Sequence, residues 1–552
     1  MRQKDMGVNM YIYDALYGKI EFPSLVWKCM LTPEVQRLRE VRLCNINSLC
    51  ITGSANTNRF EHSVGTAFLA TLNIKNNKEK YHLKKKDIDL FVVAALLHDV
   101  ANGPFGHSYE YLMEKQGFIP EKGLRNVFSG VLSYGQGVNG YSSPYEKIFF
   151  GQLRALNSIF SDSQKDIISS IIAGNHFFSK LISDKIDLDN IDNVFRMAYH
   201  MGISFPQEAP IELAKAMYLE NDHVVFNRKA KEYLNAWYET RKKVYKFLLL
   251  NPQEFAGKYM LTEAMDITFE DKSQNSNPLE IKWYFTDYEL LENLFVQTEK
   301  WIDRKSLLKK DVSFTQFEYL QKLPFDKQKK QLKNFVESIE LTIPVKNKGK
   351  SGNSNKISLS SSFEYSILSS GCIYIKDRNM RFEIYNNNLY KIIRTKNNPS
   401  QIISRLMIGN LYDCITIVRS SDISKYGDFL NYNRRLDIEN ELESSIKAAT
   451  GLRNLCIGIH PILDYDKTER KLEILFEDSS EIVTIGASSR DLLLGVFLKN
   501  EPYGLKHART PLKSIRKDII TTILEYFSTI LSGSVETISL YEEVNDYGDK
   551  RY

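Results

Sequence analysis

One histidine is followed directly by an aspartate at the end of an almost wholly apolar stretch, FVVAALLHDVANGPFGHSYE, so His98 and Asp99 close a helix that must be deeply buried. An ionised carboxylate in such a core is costly unless a cation or a hydrogen-bond network compensates it. A divalent metal ion held by both side chains is one compensation; a core histidine satisfied by its neighbour is the other. Upstream, NRFEHSVG sets His62 one turn into an amphipathic helix, with Arg59 three residues before it on nearly the same face. A guanidinium there has the planar fork to hold two phosphate oxygens, or it pairs with Glu61 or another carboxylate. Downstream, IDLDNIDNVFRMAYHMGI places Asp187, Asp189 and Asp192 at a helix start, where carboxylates also serve as ordinary caps. His107 and Glu110 stand about one helical turn apart, the spacing of a general acid with its orienter or of a structural pair.

These side chains need helices to hold them. From about Thr32 to Leu261 the chain is a run of apolar-periodic stretches broken by short Gly, Pro, Asn and Ser clusters, which predicts mostly helix. Pro33 after Thr32 predicts a helix through Val35, Leu38 and Val41. Further helices are expected over 59–72, 87–100, 165–173, 191–199, 210–219, 230–250, 252–264 and 287–307, with a small hairpin within 223–230. Lys309, Lys310, Lys322, Lys327, Lys329, Lys330 and Lys333 then form a basic run, and VKNKGKSGNSNK reads as a linker. Beyond it come short β-rich runs such as LYDCITIVRS and LCIGIHPIL, with helices expected over 488–498 and 511–531. The expectation is a mainly α core at 1–305, a basic connector and linker at 306–360, and a smaller α+β domain at 361–552.

A chain of 552 residues exceeds one hydrophobic core, and 43% apolar with 26% charged residues excludes collagenous and wholly disordered classes. A formal charge of +5 over so large a surface predicts no general attraction to polyanions, so nucleic acid could be met only locally, through the run from Lys309 to Lys333. Six cysteines without a CxxC pair read as buried thiols. The N-terminus lacks the apolar core of a secretory signal, and the apolar stretch from Ile88 to Val100 is too short and polar to span a bilayer. A soluble cytoplasmic protein without a membrane partner is expected. No Walker-type phosphate loop is present.

The order His62, His98-Asp99, Asp189 resembles the H…HD…D signature of HD-domain phosphohydrolases, in particular the branch containing deoxynucleoside triphosphate triphosphohydrolases. LTPEVQRLREVRL, NRFEHSVG, ALLHDVANGPFGHSYE and IDLDNIDNVFRMAYHMGI all look like that branch's diagnostic blocks, over roughly residues 10 to 300. The resemblance implies a helical HD-domain core in which His62, His98, Asp99 and Asp189 bind one divalent ion, with Mn²⁺, Fe²⁺, Zn²⁺ and Mg²⁺ all suiting the donor set. It implies a nucleotide substrate, release of tripolyphosphate, Arg59 as phosphate clamp, His107 with Glu110 as proton donor and orienter, and a homo-oligomer, dimer or higher. Nucleotide depletion during viral infection is a role associated with the family.

The chain departs from the pattern at several positions. Asn102 stands where the family has a catalytic-site histidine, and a second such histidine after Glu110 has no counterpart. An amide cannot shuttle a proton near neutral pH. At the positions that touch the sugar, the family's glutamine, leucine, tyrosine and aspartate give way to Leu43, Cys44, Asn193 and Met197 respectively, while Arg196 and Asp192 keep a four-residue spacing suited to an ion pair behind the site. Alternative readings are a phosphodiesterase or nuclease on cyclic nucleotides or single strands, and a catalytically weak nucleotide-binding module.

Overall fold

The structure is a computed structural model. It describes residues 11–43, 56–81, 85–106, 109, 156–270, 285–296, 303–306, 323–337, 359–367, 373–377, 380–385, 388–393, 399–452, 455–477, 482–499 and 509–538. The chain divides into two compact units: Met1–Asn293 together with Ile403–Tyr552, and Leu294–Ile402. Composition changes near 306 and 361, whereas the contacts divide the chain at 294 and 403.

The larger unit opens with a hairpin, β1 (Tyr11–Asp14) and β2 (Gly18–Glu21), in which Asp14 Oδ1 accepts the backbone N–H groups of Leu16 and Tyr17. Two short helices follow, α1 (Ser24–Met30) and α2 (Pro33–Gln36). The helix expected through Val41 stops early: a 3-10 turn covers Arg37–Glu40 and Val41 is extended. The reason is competition from elsewhere in the chain. Val41 O accepts Arg59 N–H, Leu43 N–H reaches Thr57 O, and Arg42 bridges Asn58, so this backbone pairs laterally rather than coiling.

Next come α3 (Arg59–Tyr81) and α4 (Lys85–Leu97), then α5 (Asp162–Ile172), α6 (Leu188–Met201) and α7 (Ala209–Ala216). The α6 start is capped by Asp187, whose side chain accepts Asn190 N–H, and its end by Gly202 at φ 72°, a left-handed conformation that glycine adopts without strain. The helix expected to reach residue 219 ends at Ala216, because Met217–Glu220 (β3) pairs antiparallel with His223–Phe226 (β4) through a turn at Asn221 and Asp222, both at positive φ. Two long helices, α8 (Lys231–Leu250) and α9 (Pro252–Glu270), and then α10 (Asp287–Val296) complete the helical series. The α10 helix is shorter than expected, since Asp303–Ser306 is a strand, β5.

In the smaller unit, β5 joins β6 (Glu364–Ile367), β7 (Ile373–Asp377), β8 (Met380–Tyr385) and β9 (Asn388–Ile393) in an antiparallel sheet of order β5-β9-β8-β7-β6, accompanied by helix α11 (Phe325–Glu337). Lys327, Lys329, Lys330 and Lys333 lie on α11; Lys309, Lys310 and Lys322 fall outside the described residues.

The chain then passes through α12 (Pro399–Met407), β10 (Asp413–Ser420), α13 (Tyr426–Leu430), α14 (Tyr432–Thr450), β11 (Ile457–Tyr465), β12 (Leu472–Phe476), β13 (Ile482–Ile485), β14 (Arg490–Leu498), α15 (Arg509–Ile530) and β15 (Val535–Ile538). The fold is therefore a mainly helical N-terminal core followed by a smaller C-terminal region with two sheets. One expectation fails here: 488–498 is not a helix but the central strand β14, paired with both β10 and β11. Its run Leu492, Leu493, Leu494, Val496, Phe497 is buried on both faces, so it carries no alternation by which a strand could be told from a buried helix. On one face of this sheet lie α14 and α15, with Ile438, Leu442, Ile446, Ile523 and Phe527 in a single core. On the other face α9 comes so close that a Cβ at Gly495 would collide with the Phe255 ring and one at Gly458 with Tyr259. No described helix is long and apolar enough to cross a membrane.

Candidate metal centre

Three helices converge on the site. The α3 helix begins at Arg59, with Asn58 Oδ1 accepting Glu61 N–H, so that Arg59 and His62 project from its first turn into the core. The α4 helix ends at Leu97, and His98 and Asp99 occupy the turn just beyond it. The first turn of α6 supplies Asp189, which is 30% exposed, and its buried face supplies Asp192. His62 Nε2 lies 3.2 Å from His98 Nε2, 2.8 Å from Asp189 Oδ1 and 3.9 Å from Asp99 Oδ2. His98 Nε2 is 3.6 Å from Asp189 Oδ1 and 3.7 Å from Asp99 Oδ1.

Both rings are oriented from behind. His62 Nδ1 faces Asp192 Oδ2 at 2.7 Å and His98 Nδ1 faces the carbonyl of Ala95 at 2.8 Å. A carboxylate and a carbonyl only accept, so each Nδ1 carries the proton and, in the neutral rings, the two Nε2 lone pairs point at each other. Two lone pairs at that separation repel unless something positive lies between them. The spacing suits a metal ion, since donors held about 2.0–2.2 Å from one cation stand roughly 3 Å apart. His62, His98 and Asp99 thus form a cluster able to hold a divalent ion.

Charge points the same way. Three carboxylates, Asp99, Asp189 and Asp192, lie against the rings, and Asp14 and Glu61 stand behind them at Arg196; with Arg59 and Arg196 as the guanidiniums of this group, carboxylates are in excess, an environment that favours a cation. Without a cation the rings take up protons in its stead. Burial draws His62 down, but the hydrogen bonds and charges of Asp189 and Asp192 outweigh it and push it up to about 10. His98 moves up too, burial being overcome by Asp99 and Asp189. Burial raises Asp99, yet Arg59 and the two histidines carry it below its ordinary value.

The other expected residues fall into three groups. Arg59 pairs with a carboxylate other than Glu61: its Nη1 donates to Asp99 Oδ2 at 2.6 Å, while Glu61 meets His200, Thr57 and Asn58. Asn102 donates from Nδ2 to Asp99 Oδ1 at 2.7 Å, so the amide in the family's histidine position orients Asp99. Leu43 and Met197 meet in one apolar cluster with Ala198, Val244 and Leu248, and Asn193 lies half-buried on α6. Arg196 is fully buried and bidentate to Asp192, at 2.9 and 3.0 Å. Cys44, His107 and Glu110 lie outside the described residues.

Other contacts have no sequence signal. Arg37 donates to the carbonyls of Val100, Asn102 and Phe285, and Asp287 accepts the N–H groups of Arg42 and Phe105, the latter at φ 54°. Together they hold the loop after His98-Asp99. Their partners are 63 to 248 positions away, beyond the reach of any spacing rule.

Residues 59–197 match the family described as HD domain, a span that runs from Arg59 to Met197 and takes in both imidazoles and all three carboxylates around them. The chain carries an HD-domain phosphohydrolase fold. The HD region is distantly related to deoxynucleoside triphosphate triphosphohydrolases: the chain is 27% identical to SAMHD1 of Bos taurus over 256 residues, 42% of this chain and 42% of that protein. It is 28% identical to SAMHD1 of Danio rerio over 208 residues, 34% and 33% of the two chains, and 24% identical to the uncharacterized protein YwfO of Bacillus subtilis over 243 residues, 44% and 52%. The matches thus span about a third to a half of those relatives' lengths.

Proposed function

We propose that this protein is a metal-dependent nucleotide phosphohydrolase that cleaves a nucleoside triphosphate and releases tripolyphosphate. The observation that carries the reading is the pair of Nε2 atoms 3.2 Å apart, each ring held by a hydrogen bond at Nδ1, with Asp99 and Asp189 beside them. His62, His98, Asp99 and Asp189 are the proposed ligands. When bound, a divalent ion supplies an activated water and polarises a phosphoryl oxygen. Arg59 sits beside Asp99 and, in this reading, offsets negative charge accumulating on the transferred group. Asn102 keeps Asp99 aimed at the site and has no proton to give at neutral pH, so proton donation to the leaving group falls to His107, with Glu110 as its orienter.

The relatives named as deoxynucleoside triphosphate triphosphohydrolases support the substrate class. The apolar cluster of Leu43 and Met197 supports a sugar pocket that reads fewer hydroxyls than a pocket lined by amide and carboxylate groups. A panel of NTPs, dNTPs, cyclic dinucleotides and short DNA and RNA, offered to metal-reconstituted protein beside an Asp99→Ala control, tests this. Tripolyphosphate with weak discrimination between ribose and deoxyribose is expected. Mononucleotides from polymer, or no turnover although metal is bound, would overturn it.

A further inference from the structure

The back of the site is closed by a segment far away in the chain. Asp192, the carboxylate behind His62, uses both oxygens twice: Oδ2 faces His62 Nδ1 and accepts Arg196 Nε, while Oδ1 accepts Arg196 Nη2 and the hydroxyl of Tyr17 at 2.8 Å. Arg196 is in turn held by Asp14, whose Oδ2 is 3.0 Å from Nη1. Asp14 and Tyr17 both belong to the β1–β2 hairpin and its turn, and Asp14 shapes that turn with its other oxygen. The assembly is dry: the side chains of Asp192 and Arg196 are fully buried and that of Asp14 is 2% exposed. It is also tightly enclosed, because Gly65 of α3 lies against Asp192 and Arg196 where any Cβ would collide with both. The Tyr17 ring is further fixed against Phe68, with ring centres 5.1 Å apart.

We propose that the β1–β2 hairpin is a positioning element of the metal centre, in which Asp14 and Tyr17 lock the Arg196–Asp192 pair so that His62 is held with its proton on Nδ1 and Nε2 turned to the cation. Two effects follow from the geometry. A ligand ring fixed by a hydrogen-bonded carboxylate loses little orientational freedom when metal binds, and partners of this kind are typically worth about 10–100-fold in metal affinity. In addition, Asp14 adds to the negative charge behind the site, and its loss weakens the attraction for a divalent ion. The inference rests on the metal-centre reading and not on which phosphate bond is cut.

The test compares Asp14→Asn and Tyr17→Phe with Tyr13→Phe, an exposed side chain on the same hairpin. Mn²⁺ dissociation constants are measured on folded protein, and the His62 Nδ1–H resonance is followed by ¹⁵N NMR in protein stripped of metal. Both inner variants are expected to bind Mn²⁺ more weakly, on the order of tenfold for Asp14→Asn, and to lose or broaden the protected Nδ1–H signal. Tyr13→Phe should change neither. Unchanged Mn²⁺ binding and an unchanged resonance in Asp14→Asn and Tyr17→Phe would overturn the proposal, as would an equal loss in Tyr13→Phe. Wild-type protein that binds Mn²⁺ and shows the resonance but hydrolyses no nucleotide would sink the proposed function and leave this inference standing.

Discussion

His98 and Asn102 are four positions apart and act on the site in different ways. His98 presents Nε2 to the cluster, so His98→Ala should remove tightly held divalent metal and turnover together, as elemental analysis and the nucleotide assay would read. Asn102 reaches the site only through Asp99, whose Oδ1 it holds. Asn102→Ala is therefore expected to weaken metal binding by about tenfold, with turnover recovering at saturating metal. If turnover stayed low at saturating metal, Asn102 would be acting directly on substrate instead. At this scale the sequence is legible where chemistry is local: adjacent His98 and Asp99 and the i, i+3 pair of Arg59 and His62 show themselves by spacing. It is silent where the partner is distant. That Arg59 chooses Asp99, 40 positions on, over nearby Glu61 follows only from where α4 ends.

At the scale of elements, the crossing of α3 and α6 decides whether the rings can meet. Gly65 allows it, since the Asp192–Arg196 pair occupies the space where a Cβ would stand. In an isolated helix Gly65→Ala would gain about 1 kcal/mol; here the methyl group displaces a buried ion pair, and overpacking of about 1–3 kcal/mol or more should win. The expected result is a lower Tm and weaker metal binding, measured by calorimetry and Mn²⁺ titration. A rise in Tm would show that the helices can separate without cost. Helices with a polar face, such as α6 and α8, were readable from their period. Strand β14 was not, because an apolar run buried on both faces has no period to read.

Across the larger unit, α9 and α14 meet the C-terminal sheet through a buried ionic network. Lys499 Nζ lies 2.8 Å from Glu263 and 3.0 Å from Glu439, Tyr412 and Tyr259 donate to the same two carboxylates, and Arg435 pairs with Asp266 at 2.6 Å. Lys499→Met would leave Glu263 and Glu439 facing each other without the ammonium they share, although Arg435 stays 3.8 Å from Glu439. Urea denaturation should show a loss of about 3–5 kcal/mol; an unchanged midpoint would mean that water reaches the network.

Glu254 presents the opposite case, a buried carboxyl with neither oxygen hydrogen-bonded among the described residues. Burial pushes it up to about 8 from the usual 4.5, with Lys258 opposing. Below about pH 4.5 both folded and unfolded chains hold the proton. Between 4.5 and 8 the unfolded chain releases it while the folded chain keeps it, so stability falls across that window. Glu254→Gln should flatten Tm against pH in that range and raise Tm at pH 7 to 8. An unaltered slope would show that the carboxyl is solvated.

Helix content, the β-rich C-terminal region and the histidine-aspartate chemistry were determined by the sequence alone, because each is written in residues within a turn or two of one another. The tertiary structure alone decided which acid backs which histidine, and that an N-terminal hairpin seals the site from behind. It also decided that β12 of the C-terminal region extends the β3–β4 hairpin of the helical core. Such pairings join residues 100 or more positions apart. They depend on how whole helices and strands pack, and no local period or charge pattern carries that information.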